Sequence, residues 1–379
     1  MLRQVTLWLW DVLGVLNKNR ANLVCVFLVL CVVAGLMSTF TVFSVFSVVY
    51  QGSLSDLAHP SLLQLGNGFG TDYRVSYTDK SLPFETILAN WRSEIPKIKS
   101  FGFNTVRLAF AFNNSGDTTH STLVYSELDQ VLTLLDRNGL NAVLDLHNYN
   151  DMPGFFGSPG WIQSWTDLAS HYKNDQRIVA YELFNEPFTA NWYSGVQTGG
   201  AGGSEGTGCL QALAQCVDAI RSTGDDRSIV YPDPYFIIPY SQRMNPEYIP
   251  PSMRRPNIIM TFHFWYGDTQ TMDKMNMLFA YREKEAAAWQ KYYTVWIGEY
   301  GWYSSSTYDQ AVQQAWLIGW TQWAIQQDVR VSWWLHGYTG GRAQAYQLCK
   351  TVMQAAAMPM PIQTATADLT FNTSVSLPF

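Results

Sequence analysis

From about residue 60 onward the apolar positions fall into two alternating rhythms. Short runs rich in β-branched and aromatic residues predict strands at 62–69, 104–110, 141–147, 178–185, 228–232, 258–264, 294–298 and 330–335. Stretches of helical period lie between them, at 123–138, 210–223, 272–290 and 308–327 among others. Strand followed by helix, repeated, implies a parallel sheet, and eight such units fit a closed (β/α)8 barrel of the α/β class. An open doubly wound sheet would need a phosphate-binding glycine loop after its first strand. Gly66-Asn-Gly-Phe-Gly70 is rich in glycine, but no convincing helix with a later acidic ribose ligand follows it.

The pattern ahead of the barrel is different. Residues 23–49 carry no charged side chain and follow Lys18 and Arg20, and the run exceeds the roughly 20 residues that cross a bilayer. No clear Ala-x-Ala-like cleavage site ends it, so it reads as a transmembrane signal anchor in preference to a cleaved signal. The basic flank places residues 1–22 in the cytoplasm and everything after Tyr50 outside the membrane; a cleaved segment would instead give a secreted protein. The chain thus divides into the cytoplasmic segment 1–22, the anchor 23–49, a linker 50–59, the barrel 60–357 and a tail 358–379 broken by Pro359, Pro361 and Pro378. The Gly/Ser-rich stretch 195–208 follows the fourth strand, where it either covers a cleft or forms a plain insertion.

Composition narrows the partners. Only 14% of residues are charged, against about 25% in ordinary soluble domains, so Gln, Ser, Thr, Asn, Tyr and Trp must cover much of the surface. With 24 Lys+Arg against 30 Asp+Glu and no basic run after Arg20, nucleic acid is not an expected partner, and the barrel is expected to act as a monomer. The five cysteines have no zinc-like spacing, and no metal or cofactor is expected. Cys25 and Cys31 lie in the apolar run. Cys209 and Cys216, if both on one helix, stand about 10 Å apart, too far for a disulfide; a bridge would need Cys209 in the preceding loop.

Residues at the C-terminal ends of barrel strands converge on one pocket, so polar groups at those ends are the candidates for chemistry. They are Arg107 on the second strand, His147 on the third, Asn185 and Glu186 closing the fourth, His263 on the sixth, Glu299 on the seventh and Trp333-Trp334 on the eighth. Each alone has a structural explanation: an ion-pair partner, a satisfied core histidine, a barrel plug. Six strand ends carrying such groups in register do not share one. Two carboxylates at the ends of apolar strands also cost several kcal/mol unless paired or used. A pair flanking a glycosidic bond uses them.

These motifs resemble glycoside hydrolase family five, the cellulase and mannanase family of the clan A barrels, over residues 60 to 357. The resemblance rests on Asn185-Glu-Pro187 after the fourth strand and Gly298-Glu-Tyr-Gly301 on the seventh. It implies a retaining mechanism with Glu186 as acid/base and Glu299 as nucleophile, supporting roles for Arg107, His147, Asn185 and His263, and a sugar platform at Trp334. One departure stands out. The family shows His-x-Tyr on the sixth strand, the tyrosine touching the nucleophile, whereas here Trp265 holds that place and Tyr266 follows. Retention needs the two carboxyl groups about 5 to 5.5 Å apart with separated pKa values, and Arg107 beside Glu299 is expected to favour its charged form. Of the aromatic residues after the strands, Trp161, Trp165, Trp192, Tyr193, Trp265, Tyr266, Trp302 and Tyr303, many are expected in the core, and their concentration suits an extended polysaccharide groove. The expectation is an endo-β-glycanase acting on β-1,4-glucan; an endo-β-mannanase and a carbohydrate-binding barrel without activity are the alternatives.

Overall fold

A computed structural model describes residues 68–74, 81–116, 120–147, 154–187, 207–238, 254–266, 272–302, 310–334 and 342–356. All belong to the unit Val49–Phe379. The predicted anchor, linker and tail, and all but the end of the Gly/Ser-rich stretch, lie outside them. Among the described residues no helix is long and apolar enough to cross a membrane.

The strands are β1 (Gly68–Asp72), β2 (Thr105–Phe110), β3 (Asn141–Leu146), β4 (Ile178–Glu182), β5 (Ser228–Tyr231), β6 (Ile258–Tyr266), β7 (Thr294–Trp302) and β8 (Arg330–Trp334). They pair in parallel and in chain order, and β1 closes on β8, giving a closed eight-stranded barrel. Helices follow the strands: α1 (Phe84–Ser100), α2 (Tyr125–Asp136), α3 (Pro159–Tyr172), α4 (Thr207–Ser222), the single turn α5 (Pro234–Ile237), α6 (Met272–Trp289), α7 (Gln310–Gln326) and α8 (Arg342–Ala356). The fold is the (β/α)8 barrel that the pattern predicts.

Helix α1 illustrates how the outer layer is held. Ile87, Leu88, Trp91, Ile95 and Ile98 recur at helical spacing and are buried, each contributing about 1.5–3 kcal/mol relative to exposure. Trp91 Nε1 also donates to the Tyr73 carbonyl at 2.8 Å, tying the helix to the end of β1. Helix α3 starts at Ser158, whose hydroxyl accepts from the Trp161 amide, with Pro159 at the first helical position. Cys209 and Cys216 both lie on α4, both buried and both free thiols, so the bridge does not form.

Inside the barrel, Val143, Val179, Ala180, Val230, Ile259 and Trp296 form a separate apolar cluster. Two residues further along the same strands the inward positions become polar. Val143 gives way to Asp145, Ala180 to Glu182, and Ile259 to Thr261 and His263, all buried.

Strand ends depart from prediction where glycine or irregularity intervenes. The first strand is described at Gly68–Asp72, running past the predicted end at 69; residues 62–67 of the predicted 62–69 lie outside the described residues. Glycine weakens strand propensity, but here it is required: a Cβ on Gly70 would stand 2.1 Å from the Trp334 ring. Strand β7 runs on to Trp302 because Gly298 forms a bulge within the strand and not the start of a loop.

Candidate active site

Glu299 reaches the barrel interior through that bulge. The β6–β7 register pairs Phe262 with Ile297 and then His263 with Glu299, so Gly298 is the extra residue. Its amide donates to Thr261 Oγ1 at 2.9 Å. A Cβ on Gly298 would meet that oxygen at 2.3 Å and His263 Nε2 at 3.1 Å, so only glycine fits. A bulge re-aims the following side chain, and Glu299 ends buried against Arg107, whose Nη1 donates to its Oε1 at 2.6 Å.

Arg107, wholly buried on β2, organises the floor. Its Nε and Nη2 grip Glu182 at 2.6 and 2.8 Å. Nη2 also reaches Asn185 Oδ1 at 2.7 Å and Asp145 Oδ2 at 3.1 Å. Three fully enclosed carboxylates therefore surround one guanidinium. Burial lifts Asp145 well above the ordinary carboxylate range; Arg107 opposes it, and Glu182 and Glu299 add to it.

Glu186 and Asn185 lie just past β4, which ends at Glu182 and not at Asn185. The chain stays against its neighbour, since the Asn185 amide donates to the Leu146 carbonyl at 3.0 Å. Asn185 is buried while Glu186 keeps some exposure, and Glu186 Oε1 shares a hydrogen bond with His263 Nδ1 at 2.7 Å. His263 is in turn fixed through its backbone. Its amide donates to Asp233 at 3.0 Å, and Arg282 on α6 holds Asp233 with both Nη atoms at 3.1 and 2.9 Å. Burial pulls the His263 pKa down, but Glu299 and the bond to Glu186 outweigh it, so the net direction is up.

One carboxylate oxygen of Glu186, one of Glu299 and a ring nitrogen of His263 all lie within 4.8 Å of one another. These three are also the donor set that would accept a cation by composition. Nitrogen donors already match them, His263 on Glu186 and Arg107 on Glu299. For Glu299, Arg107 favours the charged form as expected, but the net direction is up. Burial raises its carboxyl above the ordinary value, and His263 and Arg107 oppose that without reversing it. The guanidinium is where the pattern puts it, but desolvation of a fully enclosed charge is the larger effect.

His147 follows β3 and continues its ladder, its amide donating to Phe110 at 3.0 Å. Its ring stacks on Trp334 at 4.6 Å with a 3° interplanar angle, and Arg107 lies 5.1 Å from the Trp334 ring centroid. Of the two tryptophans on β8, Trp334 therefore belongs to the site, whereas Trp333 packs edge-on against Tyr300 at 5.1 Å. Trp334 is only 2% exposed, a ring packed into the site wall more than an open platform.

Trp161 and Trp165 do not line a groove: both are fully buried on α3, and their Nε1 atoms donate to the Leu183 carbonyl at 3.3 and 3.1 Å. Trp192, Tyr193 and Tyr303 lie outside the described residues, as do the side chains of Trp265, Tyr266 and Trp302. Four residues at or around the site carry no mark in the strand-end pattern: Asp145, Glu182, Asp233 and His120. The first two lie on the inward face of β3 and β4, at even spacing from Val143 and Ala180, and that alternation was the available signal. His120 stands in the loop after β2, 4.4 Å from the His147 ring, where the bridge between Ala111 and Thr122 pins it.

Known proteins resemble this chain over the barrel. Cellodextrinase A of Ruminococcus flavefaciens is 29% identical over 108 residues, 25% of this chain and 32% of that protein. The major extracellular endoglucanase of Xanthomonas campestris pv. campestris is 27% identical over 128 residues, 28% of this chain and 26% of that one. The matched region thus spans about a third or less of these relatives. A family 5 lichenase from Caldicellulosiruptor sp. F32 shares the fold with a TM-score of 0.53 at 17% identity, covering 76% of this chain and 92% of that structure. The family model for cellulase, glycosyl hydrolase family 5, matches residues 68–340, and the chain belongs to that family of glycoside hydrolases.

Proposed function

We propose that the protein is a retaining endo-β-glycanase that cleaves β-1,4-glucan by double displacement. The observation that carries this is the approach of one Glu186 carboxylate oxygen to one of Glu299 within 4.8 Å, which fits the close pairing of a retaining enzyme, about 5–5.5 Å, better than the roughly 6.5–9.5 Å that leaves room for an inverting water. Glu299, bonded to Arg107 and set by the bulge, attacks the anomeric carbon. Glu186, partly exposed and bonded to His263, protonates the departing oxygen. Once the glycosyl-enzyme forms, the Glu299 charge is consumed, so Glu186 releases its proton and serves as base for water. Asn185 donates to the sugar 2-hydroxyl, a bond that strengthens as positive charge grows at the anomeric centre.

The names of the relatives, a cellodextrinase and an endoglucanase, support glucan over mannan. The uncharged run 23–49 supports anchoring in a membrane with the barrel on its outer side. Incubating the full chain with a panel of β-glucans and mannans, and following the anomeric configuration of the first product by NMR, tests the reading. Cleavage of glucan with β-product first is the expected result, and α-product first or a mannan preference overturns it. Recovery from the soluble fraction of a mature protein that begins near residues 38–52 overturns the anchor.

A further inference from the structure

Arg107 has donors only, and this fixes the direction of a chain of hydrogen bonds that leads away from it. Nη2 points at Asn185 at 2.7 Å, so that atom must be the amide oxygen, Oδ1. The Asn185 amide nitrogen then faces His147 Nε2 at 3.2 Å. A nitrogen that receives an N–H carries a lone pair, so the His147 proton sits on Nδ1. Nδ1 lies 2.6 Å from Asp145 Oδ2, which accepts it. Both Asp145 and His147 are buried, so water does not compete for these atoms. Asp145 Oδ1 has no partner among the described residues, so a proton taken up there leaves the acceptor at Oδ2 intact.

We infer that Asp145 is a positioning residue: by accepting from His147 Nδ1 it holds the imidazole in the neutral Nδ1–H form, and through it keeps the second amide hydrogen of Asn185 aimed at the substrate. The bond to the 2-hydroxyl belongs to the proposed function, and this inference rests on that reading. Without the Asp145 acceptor, His147 gains the other tautomer, with a hydrogen on Nε2. Two donors then face each other, and Asn185 must turn away from either His147 or Arg107.

The test uses two substitutions and two substrates in the full chain. The substrates are dinitrophenyl β-cellobioside and its analogue lacking the hydroxyl at C2 of the ring that bears the aryl group. Asp145→Leu removes the acceptor, and its kcat/KM should fall about 10- to 100-fold more on the first substrate than on the second. Asp145→Asn keeps a carbonyl oxygen for His147 and should stay within about threefold of the parent on both. Equal loss on both substrates in Asp145→Leu would mean a general structural role. Failure of Asp145→Asn alongside Asp145→Leu would mean that Asp145 acts by charge on Arg107; either result overturns the relay. If Asp145→Leu does not fold, 15N shifts of His147 in the parent protein decide. A protonated Nδ1 with a bare Nε2 near neutral pH supports the relay, and an Nε2–H tautomer or an imidazolium sinks it. Should the parent cleave neither substrate, the hydrolase reading fails on its own, and the nitrogen shifts still report the relay.

Discussion

Two layers of the barrel interior, one strand repeat apart, are built by opposite rules. In the lower layer Val143, Ala180, Val230, Ile259 and Trp296 fill space, and any side chain of similar volume would serve. In the upper layer Arg107, Asp145, Glu182 and Glu299 are joined by bonds of 2.6 to 3.1 Å that fix every orientation. Apolar packing is non-directional, so the lower layer provides stability without specifying a reaction. Buried charges cost free energy unless every partner is present, so the upper layer holds its chemistry at the expense of stability. The same strands supply both, because a strand returns to the same face every second residue.

The sharpest division between the layers is at Glu299. Glu299→Ala should lower turnover by about 10⁴-fold or more while the fold survives, and azide or formate should restore cleavage with an inverted product. Rescue with retained configuration would remove Glu299 from the nucleophile's role.

The next pair of changes weighs the layers directly. Arg107→Met strands three buried carboxylates and should cost about 3–5 kcal/mol of stability together with activity. Trp296→Ala should cost a similar 3–5 kcal/mol by opening a cavity, yet leave the folded fraction nearly as active as the parent. Urea unfolding with activity measured per folded molecule checks both. Equal activity losses would show that the two layers are not separable.

Much of the upper layer was legible in the sequence because strand alternation and strand ends fix where side chains point. Arg107, His147, Asn185, Glu186, His263, Glu299 and Trp334 all arrive at one place from seven positions spread over the chain. What periodicity does not carry is the irregular part. The Gly298 bulge breaks alternation by one residue, and β1 is built of glycines that propensity reads as a loop. Asp145 and Glu182 were hidden for another reason: a carboxylate inside a strand reads as a polar outlier until its Arg partner, far away in sequence, is known. The same holds for Glu299, whose pKa direction depends on how much burial opposes Arg107, a balance set by packing.

A smaller effect separates the layers by pH. Asp145, Glu299 and His263 all have folded-state pKa values above their ordinary ones. Each binds its proton more tightly folded than unfolded, so the stability it contributes is fully present below the unfolded value and is lost as pH rises through the folded one. For Glu299 the loss begins above the ordinary 4.5, and for His263 above 6.5. Unfolding free energy should therefore decline from mildly acidic to neutral pH. Glu299→Gln should flatten the decline by at most about 1.4 kcal/mol per pH unit, the limit for one proton. Asp175, at the far end of β4, titrates the other way. Burial raises it, but the bonds from Arg177 bring it below the ordinary value, so its contribution is lost as pH falls. Asp175→Asn should alter only the acid limb, and a change in the neutral slope would contradict the assignment of that slope to the upper layer.

The smallest expected effect concerns the departure on β6. In the family pattern a tyrosine two residues after the histidine shares its face and touches the nucleophile, whereas Tyr266 stands three after His263 in a strand that runs unbroken to that residue. A regular strand alternates faces, so the expectation from the sequence is that 266 does not share the face of 263. Arg107, 2.6 Å away, orients Glu299 from the β2 side. Tyr266→Phe should then leave the first step of dinitrophenyl β-cellobioside cleavage within about threefold of the parent. A tyrosine bonded to the nucleophile would instead cost roughly 1–3 kcal/mol, or about 10- to 100-fold. Pre-steady-state release of the aryl alcohol separates the two outcomes. A loss in the larger range would mean that β6 has an irregularity of its own, apart from the β7 bulge at Gly298, bringing Tyr266 into the upper layer after all.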